Sequence, residues 1–467
     1  MPGVHSQMDK NGLNVAIPGN SLIANYKDKG DVTFRVTLAA IRPWGIRHSA
    51  SDGFYSRRYL FRSWSLGASM PLLFRDRARR IYLSCIRMKR DFLLIIYCAV
   101  VGASAGLLLT GDRPPQHLKF AESRTPASTV AQTGSNPELK FIQTTGGPPS
   151  VHSGTITRLH NGRILAAWFA GTREGASDVR ILMSSLDPGT SEWSEPTAIA
   201  TREQTTKDLN RYIAKLGNPI LFADSRQRIW LFYVTVSVGG WSGSSITLRY
   251  SDDDGVTWTA AQRLVTSPFL NFSTLVKGCP IECETGHLLL PVYHEFIRKF
   301  GEAIVISPQG NLTSKIRLTA ERGAIQPCIV PIDQHTSQAF YRQSGHHQKL
   351  VLTNRLNNVF DSECGAIEFT NIANPDAAIA VIRRDNGEFL MACNPLESGR
   401  HKLSLATSKD GLEWRVIRDV EVGDPPDEFS YPYLIQAARG EYHLVYTWNR
   451  TRIRYVTIDE QWLEMNP

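Results

Sequence analysis

A short hydrophobic unit recurs along the chain, and each copy combines a turn with a run of alternating or fully apolar residues. The six copies begin at His160, Asp224, Glu284, Ile332, Asp385 and Ala438. Four copies carry a glycine at the turn, where a tight hairpin requires a positive φ: Gly162, Gly286, Gly387 and Gly440. The residues around these turns have high strand propensity. The pattern therefore predicts a β-hairpin in every copy.

The spacing of the hairpins favours a six-bladed β-propeller. Neighbouring copies start 48 to 64 residues apart, which leaves room for four short strands in each unit. A helical solenoid would show a 3.6-residue period and helices rich in Ala and Leu, neither of which is visible. A β-sandwich or β-helix would need a different repeat length. We therefore predict an all-β fold with the propeller over residues 146–462, where ring closure protects the strand edges.

An uncharged segment of 19 residues, Phe92–Thr110, is just long enough to cross the hydrocarbon layer of a membrane. The basic residues before it place the N-terminus in the cytoplasm and the large domain outside. Read from Met88, the same stretch also has the parts of a secretory signal peptide, with small residues at Ala103–Ala105. A transmembrane anchor and a cleaved signal both remain open. In either case we expect a membrane-anchored or secreted protein with an extracytoplasmic (periplasmic or extracellular) domain.

The basic charge is confined to the N-terminal fifth of the chain. Residues 1–91 hold 16 Lys and Arg against 6 Asp and Glu, whereas the remaining 376 residues hold 36 against 38. Nucleic-acid binding by the large domain is therefore not expected. Residues 1–91 show no sustained periodicity, so we expect an unstructured extension or a start codon assigned upstream of Met88. Residues 111–145 have the composition of a linker.

Cysteine does not indicate a metal site. The chain has 7 Cys, and their spacings match no zinc-ligand pattern. We expect neither a metal nor another cofactor.

The stretch Ser251–Trp258 matches the pattern S-x-D-x-G-x-T-W, known as the Asp-box. Asp253 is expected to accept backbone hydrogen bonds in a turn, Gly255 to supply the required dihedral angle, and Trp258 to pack against the blade. Degenerate copies begin at Thr407 and Ser185. These roles are structural, and the defining residues are Ser251, Asp253, Gly255, Thr257 and Trp258.

With these motifs, the chain from about residue 146 to residue 456 resembles the sialidase (neuraminidase) superfamily, in particular bacterial Asp-box or BNR-repeat sialidase-like proteins. The residues that match its functional positions are Arg173, Asp178, Arg342, Arg400 and Tyr431. The resemblance implies that the arginines bind the substrate carboxylate, that Tyr431 is the nucleophile, and that Asp178 is the acid and base. It makes a sialidase-like exo-glycosidase acting on an acidic sugar the leading expectation, with an acidic glycan as partner.

Two positions depart from the pattern of this superfamily. His152 occupies the position of its first carboxylate-binding Arg, and Gln326 occupies that of the Glu that assists the tyrosine. A glutamine cannot accept a proton, and a Tyr with a pKa near 10 is a poor nucleophile without a base. Both residues stay on the list of catalytic candidates.

Two alternatives to the sialidase reaction remain open. In the first, Arg342 and Arg400 hold a uronate while His152, Tyr431 or His294 handles protons, as in a polysaccharide lyase or a rhamnosidase-type enzyme. His294 and Glu295 end the third hairpin, which makes them substrate-binding candidates. In the second, the propeller binds glycans without turnover, with Trp241 and Trp448 stacking on sugar rings.

Overall fold

The computed structural model describes residues 6–9, 12–17, 20–27, 31–38, 118–122, 136–142, 147–267, 271, 273–296, 298–358, 360 and 365–465. The chain divides into two compact units, residues 1–90 and residues 91–467. The uncharged segment Phe92–Thr110 lies outside the described residues. Within the described part, no helix is both long enough and apolar enough to cross a membrane.

The first unit contains a four-stranded antiparallel sheet in the order β1-β2-β3-β4. Its strands are β1 (Ser6–Asp9), β2 (Gly12–Ile17), β3 (Asn20–Lys27) and β4 (Asp31–Leu38). These strands lie within residues 1–91, for which the sequence predicts an unstructured extension or a start assigned upstream of Met88. In β4, Val, Phe, Val and Leu alternate with Thr, Arg and Thr. This alternation favours a strand, but it extends over too few residues to be recognised as a sustained pattern in the sequence.

The second unit is a six-bladed β-propeller, as predicted. The first three blades comprise β6 (Ser150–Arg158), β7 (Ile164–Gly171), β8 (Arg180–Leu186) and β9 (Thr197–Ala200); β10 (Lys215–Ala223), β11 (Ile229–Val236), β12 (Ser244–Ser251) and β13 (Gln262–Arg263); and β14 (Leu275–Val276), β15 (Ile281–Glu282), β16 (Leu288–His294), β17 (Phe300–Ile306) and β18 (Leu312–Arg317). In blade 3 the innermost strand is split, because β14 and β15 both pair with β16.

The last three blades complete the ring. They comprise β19 (Ala324–Pro331), β20 (Thr336–Gln343), β21 (Leu350–Asn357) and β22 (Glu368–Ala373); β23 (Ala380–Arg383), β24 (Phe389–Cys393), β25 (Lys402–Ser408) and β26 (Arg415–Val422); and β27 (Phe429–Ala438), β28 (Glu441–Trp448), β29 (Arg452–Asp459) and β5 (Leu139–Phe141). All pairings are antiparallel, and the innermost strands β27 and β6 of the last and first blades are in contact.

Each of the six predicted hairpins joins the first and second strands of one blade or, in blade 3, β15 and β16. The turn glycines Gly162, Gly286, Gly387 and Gly440 have φ of 86°, 78°, 85° and 68°. A residue with a Cβ rarely adopts this left-handed conformation. The local sequence pattern thus gave the correct number and position of the blades.

The sixth blade is closed by β5, which comes from the N-terminal end of the propeller and pairs Lys140 with Tyr455 of β29. These residues differ from the linker predicted over 111–145, and Leu118 and Phe120 in the same stretch are buried against blades 3 and 4. The strand Leu139–Phe141 has only three residues. It is too short to give a periodic signal and is recognisable only once β29 lies beside it.

Two short helices and one 3₁₀ turn complete the described structure of this unit. Helix α1 (Arg202–Leu209) begins where the Thr201 hydroxyl accepts a hydrogen bond from the Gln204 amide, and α2 (Glu460–Glu464) follows β29. The 3₁₀ turn is Trp241–Gly243. The hydrophobic cores lie between neighbouring blades and bury large side chains such as Trp168 and Trp230. This leaves the innermost strands facing the propeller axis.

Candidate active site

The innermost strands of four blades carry a β-bulge at equivalent positions of their ladders. The first bulged residues are Ser153, Asn218, Gln326 and Tyr431, with φ of 56°, 41°, 51° and 53°. A non-glycine residue in such a conformation costs roughly 1–3 kcal/mol and is typical of functional sites. Bulges re-aim side chains, and here they direct residues of several blades toward one another.

Gln326 lies at the centre of the resulting contacts. Its side-chain nitrogen donates to the phenolic oxygens of Tyr293 and Tyr431, each at 3.3 Å. Its side-chain oxygen accepts from Arg342 Nη1 at 3.2 Å. Asn218 Nδ2 also donates to the phenolic oxygen of Tyr293, at 3.4 Å. Burial raises the pKa of Tyr293 well above its usual value, so this phenol stays protonated.

Three arginines from three blades are connected in a row through Asp376 and Glu428. Arg342 Nε donates to Asp376 Oδ1 at 2.6 Å, and Arg400 Nη2 donates to the Asp376 carbonyl at 2.9 Å. Arg400 Nη1 and Arg450 Nε donate to the two oxygens of Glu428 at 3.2 and 2.8 Å. Within the described residues, Nη2 of Arg342, Nε of Arg400 and Nη2 of Arg450 have no hydrogen-bond partner. Each guanidinium therefore keeps a donor for a ligand.

Glu428 stays ionised between its two arginines. Burial raises its pKa, but hydrogen bonds from Arg450 and Ser430 outweigh burial and lower this pKa to about 2. Arg450 Nη1 also donates to Glu174 Oε2 at 2.6 Å, which brings the loop between β7 and β8 to the end of the row.

His152 lies against Tyr431, with ring centroids 4.2 Å apart and an interplanar angle of 55°. The imidazole is buried, and its Nδ1 has no hydrogen-bond partner among the residues that the structure describes. Burial, followed by the charge of Arg450, lowers the pKa of His152 well below 6.5, so the ring is neutral at pH 7. The hydroxyl of the adjacent Ser153 is likewise buried and unpaired within the described part.

We call the residues that converge here the axial cluster: His152, Gln326, Arg342, Arg400, Tyr431 and Arg450. A buried lysine lies beneath it, because Lys277 Nζ donates to the Pro432 carbonyl at 2.9 Å and lies 5.8 Å from the Tyr431 ring centroid. Burial lowers the pKa of Lys277 to about 8. The axial cluster is thus rich in hydrogen-bond donors, and Lys277 adds a cation close to Tyr431.

A small pocket beside Lys277 is lined by Cys279, Cys328 and Tyr433. Burial raises the pKa of Cys279 to about 11 and also raises that of Cys328. Both thiols are therefore protonated and unreactive at neutral pH.

The axial cluster brings together five of the sequence-predicted residues, but Arg173 and Asp178 are not among its contacts. Both are exposed on the loop between β7 and β8. Asp178 accepts hydrogen bonds from the Thr172 amide and hydroxyl at 2.9 and 3.0 Å. Desolvation raises the pKa of Asp178, but these bonds outweigh it and hold the pKa below its usual value. Asp178 is thus ionised and engaged within its own loop.

His294 and Glu295 take different positions at the end of β16. The His294 ring stacks on Phe300, with centroids 4.7 Å apart. Burial raises the pKa of Glu295, against the charges of Lys299 and Arg342. Because it interacts electrostatically with Arg342 and Asp376, Glu295 lies at the margin of the axial cluster, whereas His294 has no contact with it in the described structure.

The Asp-box lies between the two outermost strands of blade 2, far along the sheet from the inner strands. Asp253 accepts hydrogen bonds from the Thr257 amide at 2.8 Å and the Thr257 hydroxyl at 2.6 Å, and Gly255 has φ of 88°. The amide of Gly255 donates to the Ser251 hydroxyl, and Trp258 Nε1 donates to the Gly255 carbonyl. Blade 5 repeats this turn at Ser408–Trp414.

The two tryptophans proposed as stacking platforms are both engaged in packing. A Cβ on Gly217 would lie 2.6 Å from the Trp241 ring, so the indole covers this glycine directly. Trp448 packs edge-on against Phe141 at 5.5 Å and donates from Nε1 to Glu421.

The sequence analysis missed Arg450, Glu428, Asp376 and Lys277. Arg450 and Asp376 lie outside the strands and in no recognised motif. A signal for the bulges was nevertheless present, because the innermost strands repeat a polar or aromatic residue before proline: Asn218–Pro219, Gln326–Pro327 and Tyr431–Pro432. A proline in a strand interior indicates a bulge or an interrupted ladder.

The fold and the axial cluster define a sialidase-like β-propeller. Residues 162–444 match the BNR repeat-like domain, so the chain belongs to this family. No curated protein sequence matches the chain significantly.

Solved structures support the same fold at low sequence identity. A Hadza microbial sialidase superposes with a TM-score of 0.58 and 13% identity, over 69% of this chain and 68% of the sialidase. The intramolecular trans-sialidase from Ruminococcus gnavus gives 0.56 and 15%, over 71% and 99%. An α-L-arabinanase from Penicillium chrysogenum gives 0.52 and 13%, over 70% and 98%. These similarities establish the propeller.

Proposed function

We propose that this protein is an extracytoplasmic enzyme that cleaves a glycan at a sugar carrying a carboxylate. The observation that carries the proposal is the row of Arg342, Arg400 and Arg450, which retains unused donors beside the half-buried Tyr431. Guanidinium groups bind carboxylates through strong charge-assisted hydrogen bonds. The extracytoplasmic location rests on the uncharged segment Phe92–Thr110 and the basic residues before it.

The similar structures support glycoside cleavage as the class of reaction. Two are sialidases or trans-sialidases, one of them solved with oseltamivir carboxylate, and the third is an arabinanase. A hydrolytic mechanism of the sialidase type would use Tyr431 as nucleophile and Asp178 as acid. The position of Tyr431 next to the arginines supports this assignment, whereas the bonds between Asp178 and Thr172 require the loop to rearrange first.

The test uses the full chain with two fluorogenic substrates, the 4-methylumbelliferyl sialoside and the 4-methylumbelliferyl glucuronide, and with uronate-containing oligosaccharides analysed by mass spectrometry. We expect cleavage of at least one acidic substrate and its loss in Arg342→Gln and Arg400→Gln. The matched control is Arg439→Gln, since Arg439 is exposed in the turn between β27 and β28. Failure to bind or cleave any acidic sugar would refute the proposal. Equal activity of the wild type and the three variants would also refute it.

The narrower proposal, that the protein hydrolyses a sialoside, has a test of its own. Release of methylumbelliferone from the sialoside, abolished by Tyr431→Phe and Asp178→Asn, would support hydrolysis by the sialidase route. Cleavage of a uronate substrate without any action on the sialoside would retain the proposed function and exclude sialic acid as the sugar.

A further inference from the structure

The hydrogen bonds of Gln326 fix the role that the Tyr431 hydroxyl can play. Arg342 can only donate, so the Gln326 oxygen must face Arg342 and the amide nitrogen must face the two phenols. Tyr431 therefore accepts a hydrogen bond at its oxygen and keeps its own proton for another partner. A tyrosine arranged in this way donates a proton, whereas a nucleophilic tyrosine needs a base at the same place.

A base lies next to the Tyr431 ring. The Nδ1 atom of His152 is unpaired within the described part of the chain, and the His152 ring touches that of Tyr431. Because Nδ1 is shielded from solvent, the side chains that cover it must move aside when the sugar binds. The charged groups around it are Arg450, Arg400 and Lys277, which favour the neutral ring, and Glu428, which opposes them. A neutral imidazole with an unused nitrogen can accept a proton at pH 7.

The arginines supply what such a base needs to abstract a proton from carbon. A hydrogen on the carbon next to a carboxylate becomes acidic when the carboxylate is bound by cations, because the charge that develops on its oxygens is stabilised. The row from Arg342 to Arg450 provides this stabilisation in the same cluster as His152 and Tyr431.

Resting on the proposed acidic-sugar site, we propose that the protein is a lyase that cleaves 4-linked glucuronate by β-elimination, with His152 as base and Tyr431 as acid. His152 takes the proton from C5, and the electron pair of the C5–H bond forms the C4=C5 double bond. The C4–O bond breaks, and the leaving oxygen takes the proton of Tyr431. The proton on His152 later returns to Tyr431 through solvent, so neither water nor a redox partner is consumed.

The distance between acid and base selects the sugar. Because the two rings are 4.2 Å apart, they reach the same face of a bound sugar. In glucuronate, the hydrogen on C5 and the oxygen on C4 lie on the same face, whereas in galacturonate they lie on opposite faces. Sialic acid has no hydrogen on the carbon that bears its carboxylate. The geometry therefore fits the gluco configuration and excludes both other sugars for this reaction.

The experiment incubates the full chain with glucuronan and heparosan, which contain 4-linked glucuronate, and with polygalacturonate for contrast. Unsaturated products absorb in the ultraviolet and are lighter than hydrolysis products by one water. We expect them from glucuronan or heparosan and not from polygalacturonate. Tyr431→Phe and His152→Gln should each lower kcat by roughly 100-fold or more. The control His160→Gln should retain full activity, since His160 is exposed in the turn between β6 and β7.

A second readout separates catalysis from a structural effect. In D₂O, wild type and Tyr431→Phe should exchange the C5 hydrogen with solvent, whereas His152→Gln should not, although thermal unfolding shows both variants to be folded. Full elimination activity in either variant would overturn the assignment, as would action on polygalacturonate alone. Saturated products, or binding without product, would also overturn the lyase assignment but would retain the proposed acidic-sugar site. Absence of both binding and products with every acidic sugar would refute the site itself.

Discussion

At the scale of single residues, the two departures from the sialidase pattern both contact Tyr431. The His152 ring packs against the Tyr431 ring, and the Gln326 amide donates to the Tyr431 oxygen. Where the sialidase pattern has a positive Arg and a negative Glu, this chain has the neutral side chains of His152 and Gln326. The balance of charge around Tyr431 is therefore conserved, while in the proposed reaction the proton acceptor moves from one blade to another. Sequence comparison located both positions but did not show that they share one neighbour.

The first prediction concerns Arg450, the arginine that the sequence motifs did not reveal. Arg450→Lys keeps the charge but loses the forked geometry that reaches both Glu428 and Glu174. We expect KM for an acidic glycan to rise about 10-fold or more, with a smaller change in kcat, because charge-assisted bonds contribute about 1.5–3 kcal/mol. The measurement is steady-state kinetics, with Arg439→Lys as control. An unchanged KM would remove Arg450 from the binding site.

The second prediction is a pH dependence of stability that originates from His152. Its pKa is lowered in the folded protein and returns to about 6.5 on unfolding. The unfolded chain therefore binds more protons than the folded protein once the pH falls through 6.5, and stability is lost toward acid. Below this pH, wild type should lose up to about 1.4 kcal/mol more per pH unit than His152→Gln.

Urea unfolding of both proteins at several pH values measures this difference. Glu295, whose folded pKa is raised, contributes in the opposite direction, but it is present in both proteins and cancels. Parallel curves for the two proteins would mean that His152 is protonated equally in the folded and unfolded states.

At the scale of strands, the sequence predicted the hairpins, which form locally, and missed the bulges, which depend on contacts with neighbouring blades. Each hairpin is formed by residues close in the chain, so turn glycines such as Gly162 and the apolar runs beside them sufficed. The bulges at Ser153 and Gln326 place non-glycine residues at positive φ, which no local preference favours. Only the surrounding blades can hold such a conformation. The residue-before-proline pattern indicated three of the four bulges, but not where their side chains meet.

The third prediction tests the strain at one of these bulges. Ser153 has φ of 56° and a buried, unpaired hydroxyl, so Ser153→Gly should relieve strain and remove an unsatisfied group. The greater freedom of glycine in the unfolded chain offsets part of the gain. We expect the free energy of unfolding to rise by about 1 kcal/mol.

The matched control for this variant is Ser337→Gly in β20. Ser337 is also buried with an unpaired hydroxyl in the described structure, but it is not among the residues at positive φ. The Ser337→Gly variant should have a free energy of unfolding about 1–2 kcal/mol lower than that of Ser153→Gly, and this difference measures the backbone strain at Ser153. Equal stabilities of the two variants in urea would mean that the bulge is not strained.

At the scale of the whole molecule, ring closure gathers the axial cluster from distant parts of the chain. His152 follows the closing strand β5 almost directly, whereas Tyr431 belongs to β27 of the blade that β5 completes. The two catalytic candidates therefore meet only where the last blade adjoins the first. The family resemblance predicted that His152 and Tyr431 share a site, because it implied a closed propeller in which the last blade adjoins the first. Composition and periodicity alone gave six hairpins, without the strand that closes them.

The last prediction concerns this closure. Phe141 of β5 packs between the guanidinium groups of Arg452 and Arg454, at 3.5 and 3.8 Å from its ring centroid, and against Trp448. Phe141→Ala should lower the free energy of unfolding by about 1–3 kcal/mol, because it removes both aromatic packing and cation–π contacts. Val422→Ala, at an exposed position on the outermost strand of blade 5, should change it by less than about 0.5 kcal/mol. If urea unfolding gives the same value for both variants, the closing strand does not stabilise the ring, and the juxtaposition of His152 and Tyr431 must depend on the inner strands alone.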